Sequence, residues 1–288
     1  MIPQLQAAVP DASIRQICAV LGISRSGYYA SRQPRIPDGD DQLAAWMEPI
    51  ARRFPGYGYR RMTRALQRDG VIVNHKRVLR VMRERSLLAQ VNRMVRTTQR
   101  NPGWRSTPNL VLGRRATGPN QIWVADLTYL HLPQQTGFLA CVLDAWSRRC
   151  VGWAMGPELT TDLTEGALEG AIIERQPPPG LIHHSDQGVQ YANHRYATVL
   201  IRIGAQASMS APGKPTHNAF IESLFSTLKR EEVRLNAYQD LADAERNIGH
   251  FIELIYNHER LHSRLGYLPP AEFELVATLD HDDEILSR

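Results

Sequence analysis

Cysteine is scarce in this sequence. There are three in 288 residues (Cys18, Cys141 and Cys150), an odd number, widely spaced and with no Cys-x-x-Cys pair. That pattern excludes a disulfide framework and a cysteine-rich zinc site, and it suits a reducing cytoplasm. Long apolar runs are missing as well. No stretch approaches the ~18 uninterrupted apolar residues of a membrane span. The first ten residues lack the basic start and apolar run of a secretory signal. With 43% hydrophobic and 22% charged residues, the chain is expected to bury an ordinary soluble core.

Lysine is nearly absent from the first part of the chain, and that absence is informative. Residues 1–120 carry 21 Lys and Arg against 7 Asp and Glu, net +14, and 20 of those 21 cations are arginine. Residues 121–288 carry 13 against 22, net −9. Arginine suits phosphate recognition through its planar fork of donors. A basic part joined to an acidic part therefore predicts a polyanion-binding region fused to one that uses carboxylates.

The basic part reads as helical. Residues 1–33 hold two short amphipathic segments, with Ser13 as a cap, an Ile14, Ile17, Cys18, Leu21 stripe and a break at Gly22, in a helix-turn-helix-like arrangement. Residues 31–39 are a polar, Pro- and Gly-containing connector. Residues 40–88 then predict a three-helix module. Pro55-Gly56-Tyr57-Gly58 ends the first helix, and Arg60, Arg61, Arg64 and Arg68 line the outer face of the second. Asn74 caps a third helix, whose outer face carries Lys76, Arg77, Arg80 and Arg83. Cations at helical spacing on two helices fit DNA binding. Residues 89–119 lose periodicity and read as a basic linker.

From Asn120 the pattern turns to strands: Gln121–His131, Phe138–Asp144 and Cys150–Met155, then a helix over 161–175, a buried strand at Leu181–His184 and a short one at Ala205–Met209. Two long helices, near 217–233 and 240–257, follow, and residues 280–288 read as a polar tail. Three strands in a row and then alternating helix and strand predict an α/β fold with a mixed sheet flanked by helices.

Three acids stand out. Asp126 sits in mid-strand on the pleat face of Ile122, Val124 and Thr128, where a lone carboxylate is costly unless paired or metal-bound. Asp186 ends an apolar strand just before Gly188, a favoured position for α/β active sites. Glu222 lies inside a helix and shares a face with Asn218, Ser226 and Lys229, while Ile221, Leu224 and Leu228 project elsewhere. Other candidates have plainer readings. Asp144 reads as a turn or cap residue rather than a fourth ligand. His183, His184 and His194 suit phosphate or hydrogen-bond roles better than zinc. His258-Glu259-x-x-His262 formally matches a zinc-protease signature, but its surroundings, with Asn257, Arg260 and Arg264, do not suit one.

Taken in order, Trp123-x-x-Asp126-Leu-Thr-Tyr, His184-Ser-Asp186-x-Gly-x-Gln190-Tyr and Asn218-Ala-x-x-Glu222-Ser, with Lys229 seven residues on, resemble the Asp-Asp-Glu core of a transposase. The resemblance is to the second-reading-frame (OrfB) product of the IS-three insertion-sequence family, whose core is retroviral-integrase-like. It continues through Tyr256-Asn257-x-x-Arg260-x-His262 and Leu265-Gly-Tyr-x-Pro269, and back to Tyr57-Gly-Tyr-Arg60-Arg and Val78-Leu-Arg80-Val-Met. It implies a ribonuclease-H-like core over 120–279, preceded by the helix-turn-helix modules, with Asp126, Asp186 and Glu222 catalytic and holding two Mg²⁺ ions, for which Mn²⁺ can substitute. It further implies strand cleavage at the element's ends and strand transfer by 3′-hydroxyl attack on phosphodiesters, with Lys229, His184, Asn218 and the helical cations on DNA. Implied partners are terminal inverted repeats and target DNA, the upstream reading-frame product (or fusion with it) and further copies of the chain on DNA, in a nucleoid-associated, cytoplasmic setting. One departure is His217, where the family usually carries Asp. The alternative is a non-catalytic DNA-binding protein, a repressor or an inactive element remnant.

Overall fold

The computed structural model describes residue 18 and residues 39–88, 107–132, 135–210 and 219–286, with side chains to 279. The expected 1–33 helices (Cys18 apart), most of the linker, His217 and Asn218 lie outside the described residues. The chain divides into compact units 1–46 and 47–288. The helical module beyond residue 46 thus shares a unit with the sheet.

Helix α1 (Asp40–Arg53) begins with two acids and ends with two arginines, matching its dipole at both ends. Helices α2 (Tyr59–Arg68) and α3 (His75–Glu84) bury Met62, Leu66, Val78, Val81 and Met82. Asn74 caps α3 as expected, its Oδ1 accepting the Lys76 N–H at 2.9 Å.

Five strands follow: β1 (Ile122–His131), β2 (Thr136–Asp144), β3 (Cys150–Gly156), β4 (Ile182–Ser185) and β5 (Gln206–Met209), in the order β3-β2-β1-β4-β5. The first three pair antiparallel, whereas β4 and β5 run parallel to β1. This is the mixed, ribonuclease-H-like sheet. Alternation along β1 and β2 feeds two cores. On one face Ile122, Val124, Leu139, Cys141 and Leu143 meet α6 (Ala219–Leu228) and α7 (Leu241–His250) through Ile221, Leu224, Leu228 and Ile248. On the other, Trp123, Ala125, Ala140 and Val142 meet α4 (Thr161–Arg175) and α5 (His194–Arg202) through Ala167, Leu168, Ala171 and Tyr196. Each fully buried Leu or Ile contributes about 1.5–3 kcal/mol as an upper estimate.

Two features depart from the sequence expectation. Both long helices widen into π-helical stretches, α6 over Lys229–Val233 and α7 over Phe251–Glu259. Helix α8 (Pro270–Leu286) runs through most of the segment 280–288 that the sequence led us to expect as a polar tail.

Candidate active site

Asp126 stands in β1 opposite Cys141 of β2. On the other side of β1, Val124 is level with His184 of the parallel strand β4, so the register brings mid-strand Asp126 level with Asp186, just past the end of β4. The Asp126 Oδ1 accepts its neighbour Leu127's N–H at 2.8 Å. Burial pushes the Asp126 carboxyl up to about 7, and the negative charges of Asp186 and Glu222 add to that rise, while the Leu127 N–H and the Lys229 ammonium oppose it. Asp186 is exposed, in the loop just past β4. Partial loss of hydration beside the surrounding chain raises its pKa, against the N–H of Gly188, which donates to Oδ1 at 2.9 Å. Glycine permits that tight loop, since a Cβ at 188 would crowd both Asp186 and Gln190.

Glu222 sits half-buried in the first described turn of α6. Arg148, held at a left-handed φ of 65° in the β2–β3 turn, places its guanidinium 3.4 Å from the Phe220 ring centroid and so steadies that turn. Lys229 lies 4.8 Å over the Tyr129 ring. Burial lowers the Lys229 pKa, Arg234 lowers it further, and Asp126 draws it back up. Asp126, Asp186, Glu222 and Lys229 therefore share one electrostatic neighbourhood, although they come from a strand, the loop after another strand, and one helix with its π-helical extension. The three carboxylates offer hard oxygen donors of the type that suits Mg²⁺. Among the described residues, no three His, Cys, Asp or Glu side chains are drawn close enough to chelate an ion as they stand.

His184 requires correction. Expected on DNA, it is fully buried, with Nδ1 2.8 Å from Ser208 Oγ and Nε2 3.0 Å from Ser210 Oγ. It ties β4 to β5 and to the segment beyond, because β4 is an inner strand buried on both faces. His183 is also buried, 3.0 Å from the Tyr196 hydroxyl, and burial drives its pKa down to about 3, so it stays neutral. Asp144 is a turn residue: Oδ1 accepts the N–H groups of Trp146 and Ser147, and Oδ2 that of Asn120. The protease-like histidines do not pair on a helix face, since the helix ends at Glu259, leaving His258 exposed and His262 packed edge-on against Tyr256.

Of the helical cations, Arg60, Arg64, Lys76, Arg77 and Arg83 are exposed or partly so, and Arg80 pairs with Glu84 at 3.2 Å. Arg61 is the second correction. Instead of facing outward it is half-buried over the Tyr57 ring, 5.8 Å from the centroid, and burial lowers its pKa. The reason is a contact that the sequence did not reveal. Tyr57 is buried, and its hydroxyl accepts the Leu261 N–H at 2.7 Å. Beside it Arg260 donates twice to Glu231, at 2.7 and 2.8 Å, inside the protein. Arg68 reaches Glu272 at 2.7 Å. Gly56 is required here, because a Cβ would overlap the Glu231 side chain. These contacts dock the helical module on the C-terminal helices. A signal did exist: Tyr57, Arg260 and His262 all fall within the motifs that carry the resemblance.

The sheet order and the helical module are those that the sequence resemblance implies. Comparison with known proteins agrees. Models described as integrase core domain match residues 116–215 and 203–270, and one described as HTH-like domain matches 38–94. The chain is 34% identical over 272 residues to the transposase InsF for insertion sequence IS3A of Escherichia coli (strain K12), spanning 92% of this chain and 94% of that protein. It is 39% identical over 220 residues to the transposase for insertion sequence element IS904 of Lactococcus lactis subsp. lactis (strain IL1403), spanning 76% and 87%. It is also 38% identical over 263 residues to an uncharacterized 31 kDa protein of insertion element IS600 from Shigella sonnei, spanning 89% and 97%. The chain belongs to the IS3 family of insertion-sequence transposases, and its activity is DNA transposition. Among solved structures, the catalytic core domain of BIV integrase aligns at a TM-score of 0.42 and 20% identity, covering 56% of this chain and 98% of that one. The magnesium-bound catalytic core of HTLV-2 integrase in its trimeric form aligns at 0.45 and 15%, covering 56% and 99%.

Proposed function

We propose that this transposase cleaves DNA strands at the ends of its element and transfers the freed 3′-hydroxyl to a new phosphodiester, using Asp126, Asp186 and Glu222 to hold two Mg²⁺ ions. The observation that carries this reading is the Asp126 carboxyl, raised to about 7 by burial and by the charges of Asp186 and Glu222. Such a concentration of negative charge beside the end of β4 is costly on its own and is relieved by a cation. When bound, a pair of divalent ions supplies activation of the attacking oxygen and neutralises charge on the leaving one. The chain's own residues do the rest. Asp126 would hold the metal in its ionised form. Asp186 is oriented by the Gly188 N–H. Lys229, held over Tyr129, faces a DNA phosphate beside the acids. The exposed face of α2 and α3, with Arg60, Arg64, Lys76, Arg77, Arg80 and Arg83, binds DNA, as does Asn218. Terminal inverted repeats and target DNA are the substrates. The chain works as a homo-oligomer with the upstream-frame product or fused to it, and Mn²⁺ replaces Mg²⁺.

The test is cleavage of DNA bearing the element's ends by wild type and by Asp126→Asn. Wild type is expected to nick only with Mg²⁺ or Mn²⁺, and the variant to bind the same DNA with nicking reduced to background. Metal-independent binding with no nicking by either protein would instead identify a repressor-like remnant.

A further inference from the structure

The helical module carries a feature that a flat duplex-binding face does not need. Between α2, the start of α3 and the turn after the short 3₁₀ helix Ser263–Leu265 lies a cavity of about 440 Å³. Its walls include Tyr59, Arg60, Arg64, Asn74, His75 and Tyr267, and among the described residues no acidic side chain lines it. Three rings and two guanidinium groups meet there. Arg64 lies 5.3 Å over the Tyr267 ring, Arg60 lies 5.6 Å over Tyr59, and Tyr59 and His75 are 6.1 Å apart.

We infer that this cleft takes one unpaired nucleotide of the bound DNA. The inference rests on the DNA-binding reading of α2 and α3 and goes further, by assigning an occupant to a concavity. A duplex meets a protein with a wide, rigid outer surface, and a cavity of this volume cannot admit it. Its size instead falls in the range of small-ligand sites, ~300–1,000 Å³. Aromatic faces offer stacking to any base, the arginines offer charge to the flanking phosphate, and the Asn74 NH₂, its oxygen being used in the cap, can donate to a base edge. The backbone favours the same use. Tyr267 is held at a left-handed φ of 66°, an unusual conformation for a bulky residue, and this keeps its ring on the cleft wall. The Arg68–Glu272 and Tyr57–Leu261 contacts fix the two walls relative to each other. The nucleotide has two sources, a base extruded from within a duplex or a residue of a single-stranded end.

The experiment uses the full chain in EDTA with three labelled duplexes of one sequence: fully paired, with one central unpaired adenine, and with a short single-stranded 3′ tail. A 2-aminopurine at the unpaired position reports stacking. Wild type is expected to bind the bulged or the tailed duplex about tenfold tighter than the paired one and to quench the 2-aminopurine. A preference for the bulge identifies an extruded base, and a preference for the tail identifies a strand end. Tyr267→Asn keeps the left-handed backbone without the ring. It should abolish the preference and the quenching while leaving paired-duplex affinity essentially unchanged. Tyr267→Trp should retain both. Equal affinity of wild type for all three duplexes, or an undiminished preference in Tyr267→Asn, overturns the inference and leaves duplex binding by the module intact. Failure to bind any of the three overturns the DNA-binding reading as well.

Discussion

Two carboxylates in this protein are pushed in opposite directions, and their effects on stability change with pH in opposite senses. Glu231, buried against Arg260 and Arg230, is held down to about 2 despite its burial. Its pKa in the unfolded chain is near the ordinary 4.5. Its ion pair therefore adds stability above pH ~4.5, about 3 kcal/mol for a shift of that size. That contribution disappears as pH falls towards 2. Glu231→Gln is expected to cost about 3–5 kcal/mol at neutral pH, because Arg260 is left buried and unpaired. Thermal melts should show wild type and variant converging as the solution is acidified. Asp126 behaves in reverse. Its folded pKa near 7 lies above the unfolded 3.8, so the native state holds the proton longer and stability falls as pH rises from about 4 to 7. In EDTA, Asp126→Asn should melt at higher temperature than wild type at pH 8 and show little difference at pH 4. A variant no more stable at pH 8 would refute the strained carboxylate. Asp126 was legible in the sequence because a charge among strand apolars is anomalous. Glu231 and Arg260 were not, since each sits among ordinary helix charges and their pairing across 29 residues has no local signature.

At the level of elements, apolar period decided almost everything that could be read. The 2.0-residue alternation of Ile122 to Thr128 and the Ile221, Leu224, Leu228 stripe located β1 and α6 and separated their buried faces correctly. The π-helical ends escaped notice, because one extra residue in a turn shifts the phase only where the pattern is already ending. Helix α4 also depends on close approach that composition hides. A Cβ at Gly152 of β3 would overlap the Ala167 carbonyl oxygen and crowd Ala171. Because part of that obstacle is backbone, Gly152→Ala should destabilise by about 1–3 kcal/mol. Urea denaturation would measure this as a lower midpoint with an unchanged slope, whereas an unchanged midpoint would show that α4 moves aside freely.

For the whole molecule, the charge partition of the sequence carries a quantitative consequence. A DNA complex built on exposed arginines weakens with salt, and removing one arginine–phosphate pair reduces the log–log slope by about 0.9. Arg77→Ala and Arg83→Ala should each lower that slope by roughly one and weaken binding to unrelated sequences equally. A variant with an undiminished slope would remove its arginine from the DNA face. The sheet order was accessible from the succession of strands and helices. The docking of the module on the C-terminal helices was not, because its contacts link residues about two hundred positions apart, as Tyr57 to Leu261 does.

That long-range clasp has a consequence for synthesis. Glu231 and Tyr57 leave the ribosome well before Arg260 and Leu261, the groups that satisfy them, so the arginine-bearing helices cannot reach their final seat until nearly the whole chain has been made. A product cut short before residue 260 would carry a buried-type acid with no counter-charge from Arg260 and a tyrosine with no backbone donor. Such fragments should be cleared by proteases rather than accumulate as free DNA binders, so that prematurely terminated translation yields little competitor for the intact enzyme.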